Sequence, residues 1–103
     1  MKLSMGVVTV LHAVADGKRF GFEIMDATGF TSGTVYPALD RLEEERCLKS
    51  SWEDAKVAHR EGRPPRRYFS LTPTGAAVLG EAMLRFKSLR PVPLTVTPGK
   101  ARR

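Results

Sequence analysis

The apolar residues of this chain recur at helical spacing in four stretches, and the central stretch is the most regular. Val35, Ala38, Leu39 and Leu42 lie at positions i, i+3, i+4 and i+7, which predicts one apolar stripe along an amphipathic helix over residues 31–45. The first turn of this helix carries small hydroxyl residues, a glycine and a tyrosine instead. One face therefore serves a core, while the front end is free to contact another molecule.

Two shorter helices are predicted before the central one. The first runs from about Ser4, which is a favoured N-cap type, to residue 16, and Gly17 ends it. The second covers residues 20–27 and stops at Gly29. Because only a few residues then precede the central helix, the pattern indicates a helix-turn-helix, in which two short helices are joined by a tight glycine-containing turn.

Pro37 complicates the start of the central helix. If Ser32 is the N-cap, the proline lies in the second turn and removes a backbone hydrogen bond. If Thr34 is the N-cap, Pro37 lies in the first turn, where a backbone N–H would have no helical acceptor in any case. We therefore expect a helix that either starts late or bends in its first turns, with residues 31–36 at its exposed tip in both cases.

The period of the pattern changes after the central helix. Residues 48–52 and 67–71 alternate between two faces as strands do, and we expect them to pair as a hairpin. The polar, charged loop over residues 53–65 would then form a wing. Thr72 and Pro73 begin a last helix, as its N-cap and its first residue.

The last helix, which we expect to reach Leu89, has a wide apolar surface. Its main stripe comprises Ala76, Leu79, Met83 and Phe86. Such a surface on a terminal helix is more than one small domain covers, and it indicates a dimer.

This element order predicts a mainly α protein with a small β-hairpin, namely a winged helix-turn-helix followed by a C-terminal dimerisation helix. We assign residues 1–72 to the winged helix-turn-helix, which would be the DNA-binding domain, and residues 73–90 to the dimerisation helix. Residues 91–103 contain three prolines and are expected to form a flexible basic tail. With 103 residues, the chain holds a single modest core.

The net charge of +6 is unevenly distributed along the chain. Residues 1–55 carry 6 basic and 9 acidic side chains, residues 56–67 carry 5 and 1, and residues 68–103 carry 6 and 1. Because the positive excess lies in the wing and at the C-terminal end, it favours a polyanion partner, nucleic acid before a membrane. A merely soluble basic surface is the alternative.

Other classes of protein fit the sequence less well. The single cysteine, Cys47, fits a reducing compartment, and its apolar neighbourhood favours packing over redox sensing. The apolar residues 3–15 resemble a secretory signal, but their helical spacing and the interruptions at Thr9 and His12 favour a retained first helix. No stretch reaches the roughly 18 apolar residues of a membrane span, so we expect a soluble, cytoplasmic protein with no membrane contact.

Enzyme chemistry has little support in the sequence. His12 and His59 fall in different predicted elements, and no acidic pair stands with either at metal-ligand or acid–base spacing. The three consecutive glutamates at residues 43–45 are interpreted as a solvated helix face. We therefore expect no catalytic residue, no metal and no cofactor.

The first group of DNA-binding candidates lies at the front of the central helix. A winged helix-turn-helix inserts its third helix into the major groove by the N-terminal end, where short side chains let the backbone approach the bases. The candidates are Thr31, Ser32, Thr34 and Tyr36. Ordinary helix capping is the alternative role of the three hydroxyl residues.

The second group of candidates is the basic set in the wing. Phosphate contacts from this loop would make binding weaken steeply with salt, and arginine forks contact phosphate in a way that lysine does not. A basic loop without a partner is the alternative. The five residues are Lys56, Arg60, Arg63, Arg66 and Arg67.

Several motifs, taken together, resemble the PadR family of bacterial transcriptional regulators over roughly residues 4–90. In chain order they are Gly21-Phe22-Glu23-Ile24, Ser32-Gly33-Thr34-Val35-Tyr36-Pro37-Ala38-Leu39, Arg41-Leu42-Glu43-Glu44-Glu45, Trp52, Arg63-Pro64 with Arg66-Arg67-Tyr68, and Leu71-Thr72-Pro73-Thr74-Gly75. The resemblance implies a dimeric repressor on an operator with two-fold symmetry, in which the first and last helices form the dimer contact. The implied interface residues are Val7, Leu11, Leu79, Met83 and Phe86.

Two features depart from the family's pattern. Relatives commonly have a glycine and then an apolar residue after the glutamate run, where this chain has Arg46 and Cys47. A left-handed arginine costs about 1–2 kcal/mol, so we expect the central helix to end differently here. Some relatives also bind aromatic effectors with a tryptophan on the last helix, whereas Trp52 precedes the wing. The sequence therefore neither predicts nor excludes a small-molecule effector, since no residue here matches that tryptophan.

Two functions of different classes follow from the sequence. One is a dimeric repressor that binds double-stranded DNA in a sequence-specific way. The other is a winged-helix protein-interaction module that docks through its apolar last helix and has little affinity for DNA. A binding assay against genomic fragments separates them.

Overall fold

A computed structural model describes residues 3–85 of the chain, and their order of elements confirms the predicted winged helix-turn-helix. The elements are α1 (Met5–Ala15), α2 (Gly21–Thr28), α3 (Ser32–Glu44), β1 (Leu48–Trp52), α4 (Ala55–Arg60), β2 (Arg67–Leu71) and α5 (Pro73–Arg85). The predicted continuation of the last helix to Leu89 and the predicted tail over residues 91–103 lie outside the described residues. None of the helices described is long and apolar enough to cross a membrane.

Helix α1 starts and ends where its sequence predicts, and it forms the centre of the core. The Oγ of Ser4 accepts a hydrogen bond from the N–H of Val7 at 3.3 Å, and Gly17 follows the helix with a φ of 100°. Its fully buried side chains, such as Leu11, bring α1 against α2, α3, α5 and β2.

Helix α3 begins earlier than the sequence suggested. Thr31 is the N-cap and Ser32 the first helical residue, so the two N-caps considered, Ser32 and Thr34, are both wrong, and the helix does not start late. Pro37 lies inside the helix, where its missing N–H removes one helical hydrogen bond. The first turn is still closed, because the N–H groups of Thr34 and Val35 both bond the Thr31 carbonyl at 3.0 Å.

The end of α3 also differs from expectation, because Arg46 adopts the left-handed conformation with a φ of 62°. Its N–H bonds the Glu43 carbonyl at 3.0 Å, and the N–H of Cys47 bonds the Leu42 carbonyl at 2.8 Å. These two bonds form a Schellman motif, in which glycine is the usual left-handed residue. The hydroxyl of Thr72 donates to the Arg46 carbonyl at 2.5 Å, which fastens the turn to the start of α5.

We expect Arg46→Gly to raise the free energy of unfolding by about 1 kcal/mol, because glycine adopts this conformation without the steric cost that arginine carries. Urea unfolding followed by circular dichroism measures the gain. Glu45→Gly is the matched control, since Glu45 has a φ of −83° and glycine there only loses helix propensity. Equal destabilisation by both variants would contradict the strain assigned to Arg46.

The two strands pair in the predicted hairpin, which is antiparallel. The register runs from Leu48 opposite Leu71 to Trp52 opposite Arg67. An isolated bridge between Phe20 and Tyr68 adds the residue before α2 to the same sheet. The hairpin is therefore joined directly to the helix-turn-helix.

The segment between the strands is more ordered than the predicted loop. Residues 55–60 form α4, whose N-cap Asp54 accepts a hydrogen bond from the N–H of Lys56 at 2.8 Å. Ala58 on this helix is fully buried. The interpretation of residues 53–65 as a loop is thus wrong, since residues 55–60, about half of this segment, form a short capped helix.

The residues of the implied dimer interface differ in how much surface they expose on the single chain. Leu11 and Leu79 are fully buried within the single chain, so neither has side-chain surface left for a partner. Val7 and Met83 are half-buried and pack against the core, and Phe86 lies outside the described residues. Leu84 on α5 is instead 78% exposed.

Cys47 is buried in the core, as the sequence predicts. Burial, together with the charge of Glu45, raises the pKa of its thiol. A thiol that resists ionisation is a poor nucleophile, so Cys47 acts as a small apolar side chain.

Candidate nucleic-acid interface

The four predicted DNA-contacting residues at the front of α3 are brought together on the surface. All four are exposed, and they occupy the N-cap and the first turns of the helix. Thr31 makes no side-chain capping bond, so capping does not account for its hydroxyl. The residues are Thr31, Ser32, Thr34 and Tyr36.

Tyr36 lies against the N-terminal end of α2. A β-carbon added at Gly21 would come within 2.9 Å of the Tyr36 ring and closer still to its hydroxyl. Glycine is therefore required at this position for as long as the ring lies there. The contact holds Tyr36 at the surface, where 46% of the residue is exposed.

Helix α4 presents two of the five wing candidates to solvent. Lys56 and Arg60 are both exposed, and they lie four positions apart, which places them on one face of the helix. Neither side chain has an ion pair or hydrogen bond within residues 3–85. Two uncompensated cations on one face suit contact with phosphates.

The guanidinium of Arg63 is held by acidic side chains inside the wing. Its two terminal nitrogens bond both carboxylate oxygens of Glu53, at 2.6 and 2.8 Å, and one of them also bonds Glu61 at 2.8 Å. Glu53 in turn accepts the backbone N–H of Arg66 at 3.1 Å. Arg63 therefore closes the base of the wing, and its predicted phosphate contact would have to compete with two carboxylates.

The Glu53 carboxylate should make the wing sensitive to acid. Hydrogen bonds from the Arg63 side chain lower the pKa of Glu53 from 4.5 to about 2. Because the folded value lies below the unfolded one, the stabilisation is complete above about pH 4.5 and is lost as the pH falls towards 2.

We expect the free energy of unfolding to carry this acid-dependent component in the parent and to lack it in Glu53→Gln. Urea unfolding at a series of pH values between 2 and 6 measures the difference. Glu44→Gln is the matched control, because it makes the same chemical change at an exposed residue of α3. Parallel pH profiles for the parent and Glu53→Gln would show that Glu53 is not the titrating group.

Arg67 is also occupied, and it joins the wing to α3. Its guanidinium is ion-paired with Glu43, lies 3.8 Å from an Asp40 carboxylate oxygen and donates to the Ser50 hydroxyl at 3.2 Å. Glu43 accepts a hydrogen bond from the same hydroxyl at 2.7 Å. The glutamate run is thus not only a solvated face, and Arg67 has a structural role in the free chain beside its predicted phosphate contact.

Arg66 remains as a cation for an external partner. Its guanidinium lies over the Phe20 ring, 4.2 Å from the centroid, and it forms no ion pair with any residue between 3 and 85. Stacking on the ring fixes the direction of the side chain while leaving its N–H groups available.

The sequence did not single out one part of this surface, an open cleft of about 640 Å³ between the α3 tip and the wing. Phe22 and Trp52 line it, and they are 71% and 69% exposed. For Phe22 a signal was present, because the helical spacing that places Phe20 and Ile24 inward leaves Phe22 outside. Nothing in the spacing indicated that Trp52 would line the same cleft.

The family model described as the transcriptional regulator PadR-like family matches residues 10–81. Among solved structures, the PadR-like transcription factor from Bacteroides fragilis is 25% identical, with a TM-score of 0.68 and 82% of each chain covered. The circadian clock associated protein Pex from Anabaena shares the fold at 19% identity and a TM-score of 0.63, covering 81% of this chain and 75% of Pex. Among curated proteins, none matches significantly.

A third similar structure is BpsR of Bordetella bronchiseptica, whose DNA binding is regulated by 6-hydroxynicotinic acid. It is 26% identical with a TM-score of 0.62, and the match covers 84% of this chain and 61% of BpsR. The family model spans well over half of the sequence, and its match includes the α3 tip and the whole wing. This chain therefore belongs to the PadR-like family of transcriptional regulators.

Proposed function

We propose that this chain is a cytoplasmic, dimeric repressor that binds a specific operator with two-fold symmetry. The observation that carries the proposal is the exposed small polar tip of α3 beside a wing with three cations, Lys56, Arg60 and Arg66, that form no ion pair within residues 3–85. The tip offers hydroxyl groups to base edges, and the cations offer charge to phosphates. Membership of a family of transcriptional regulators supports the same function.

The ion pairs within the site give it a fixed geometry before DNA arrives. Glu53 and Arg63 close the wing, while Glu43 and Arg67 tie the second strand of the hairpin to α3. Because α3 and the wing are held relative to each other, little ordering remains to oppose binding. The α3 tip would enter the major groove while the wing contacts the adjacent backbone.

Dimerisation through the terminal helices supports binding to paired half-sites. Helices α1 and α5 are packed together, and the Arg85 guanidinium bonds the Leu3 carbonyl at 3.4 Å. Leu84 is exposed on α5, with Met83 and Val7 half-buried beside the core. A second copy would cover this apolar surface and set two α3 tips at a fixed spacing. Sedimentation at micromolar concentration tests whether the chain is a dimer, and a strict monomer would contradict the proposal.

Binding of labelled genomic fragments over a range of salt concentrations tests the DNA-binding proposal. We expect saturable binding that weakens with salt, and preference for a minority of the fragments. Thr34→Ala should blur that preference more than it reduces general affinity, because the hydroxyl faces bases rather than phosphates. Equal binding to all fragments would contradict sequence specificity.

The exposed Leu84 also supports the alternative, in which α5 docks on another protein. That function predicts little DNA affinity, so the same assay separates the two. Control by a small molecule, as in BpsR, would need residues other than a tryptophan on the last helix, since the sequence has only Trp52.

A further inference from the structure

The cleft between the α3 tip and the wing combines exposed aromatic rings with a cation. Phe22 from α2 and Trp52 from the end of β1 line it together with Tyr36 from α3. Arg66 also lines the cleft, held by its stacking on Phe20. Three different elements of the fold thus place aromatic rings around one opening.

The exposure of these rings is unusual for side chains of their size. Phe22 and Trp52 are 71% and 69% exposed, although burial of either ring would remove considerable apolar surface from water. Apolar patches with a polar rim are typical of surfaces that bind a partner. The rings therefore mark the cleft as a contact surface.

The openness of the cleft favours an extended polymer over a small molecule. Pockets for small molecules bury most of the ligand surface, whereas walls this exposed would leave a compact ligand largely in water. The charge of the cleft indicates which kind of polymer fits. Its arginines Arg63 and Arg67 are already paired with the carboxylates of Glu53 and Glu43. Arg66 is left as a net positive group, which suits a polyanion.

We propose that this cleft clamps one sugar-phosphate strand of the bound duplex. Phe22 and Trp52 pack against deoxyribose rings, and Arg66 contacts the phosphate between them. The cleft lies between the α3 tip and the wing, so a strand that leaves the major groove at the tip passes through it before reaching the wing. This inference rests on the proposed DNA-binding function and adds an uncharged contact to it.

The salt dependence of binding distinguishes the clamp from simple charge attraction. We expect Phe22→Ala to weaken binding of a short mixed-sequence duplex roughly tenfold with an unchanged slope of log Kd against log salt, because every cation still meets its phosphate. Arg66→Gln should instead lower the slope by about 1. Phe22→Tyr, which keeps the ring, is the control and should bind like the parent. Equal affinity of Phe22→Ala and the parent would overturn the clamp.

Trp52 supplies a second, direct test, since it is the sole tryptophan of the sequence. Its fluorescence should become protected from acrylamide quenching when the duplex binds. If a labelled duplex binds but Trp52 stays as accessible as in the free protein, the clamp is wrong and the DNA-binding function stands. If no duplex binds at low salt, both fail. Tighter binding of the separated strand than of the duplex would also overturn the clamp, because bases rather than sugars would then be stacking on the rings.

Discussion

Replacing Gly75 by alanine is expected to destabilise the fold by about 3 kcal/mol, because α5 packs directly on backbone at this residue. A β-carbon there would lie 2.9 Å from the Cys47 carbonyl carbon and from the Leu71 Cδ1, and closer still to the Cys47 oxygen. That oxygen also accepts the N–H of Thr72 at 3.1 Å. Relief of the clash therefore requires α5 to move away from the turn that ends α3.

Urea unfolding of Gly75→Ala and Gly6→Ala measures this effect against a matched control. A β-carbon at Gly6 would meet only the Ser4 Oγ, at 4.0 Å, so alanine there should stabilise α1 by up to about 1 kcal/mol. The two substitutions are chemically identical and should act in opposite directions. A Gly75→Ala variant as stable as the parent would show that α5 does not pack as closely as described.

The second large effect concerns the three interface cations that form no ion pair in the described part of the chain. We expect the triple variant Lys56→Gln, Arg60→Gln and Arg66→Gln to bind duplex DNA about a hundredfold more weakly at physiological salt. The slope of log Kd against log salt should fall by about 3, since each of the three cations would no longer neutralise a phosphate. Titration of a labelled duplex at several salt concentrations measures both quantities.

Arg63→Gln is the informative comparison with Arg66→Gln, since each removes one positive charge from the same segment. Because Glu53 and Glu61 already occupy its guanidinium, we expect a slope change of less than about 1 and a clear loss of stability instead. If Arg63→Gln lowered the slope as much as Arg66→Gln, the assignment of Arg63 to the base of the wing would be wrong.

The elements could be predicted because local spacing determines them. The stripe from Val35 to Leu42 and the Thr72-Pro73 start of α5 each depend on residues within a few positions of one another. The two strands were recognisable from their alternation alone. The short helix α4 was missed although its N-cap, Asp54, was visible, because its six residues are too few to show a period.

The partners of the charged residues could not be predicted, because they lie far apart in sequence. Arg63 reaches Glu53 across ten positions and Arg67 reaches Glu43 across twenty-four, so a count of arginines cannot separate paired from available cations. A helical stripe has a similar ambiguity. It does not distinguish a buried residue such as Leu79 from one that meets a second copy.

The most direct test of the central claim is a footprint on the DNA upstream of the protein's own coding region, where regulators commonly act. We expect protection of two symmetry-related half-sites whose centres lie about one helical turn, or a multiple of it, apart. Thr34→Ala should lose that pattern before it loses general DNA affinity. Uniform, weak protection along the fragment, or none at concentrations that bind a labelled duplex, would contradict a sequence-specific regulator.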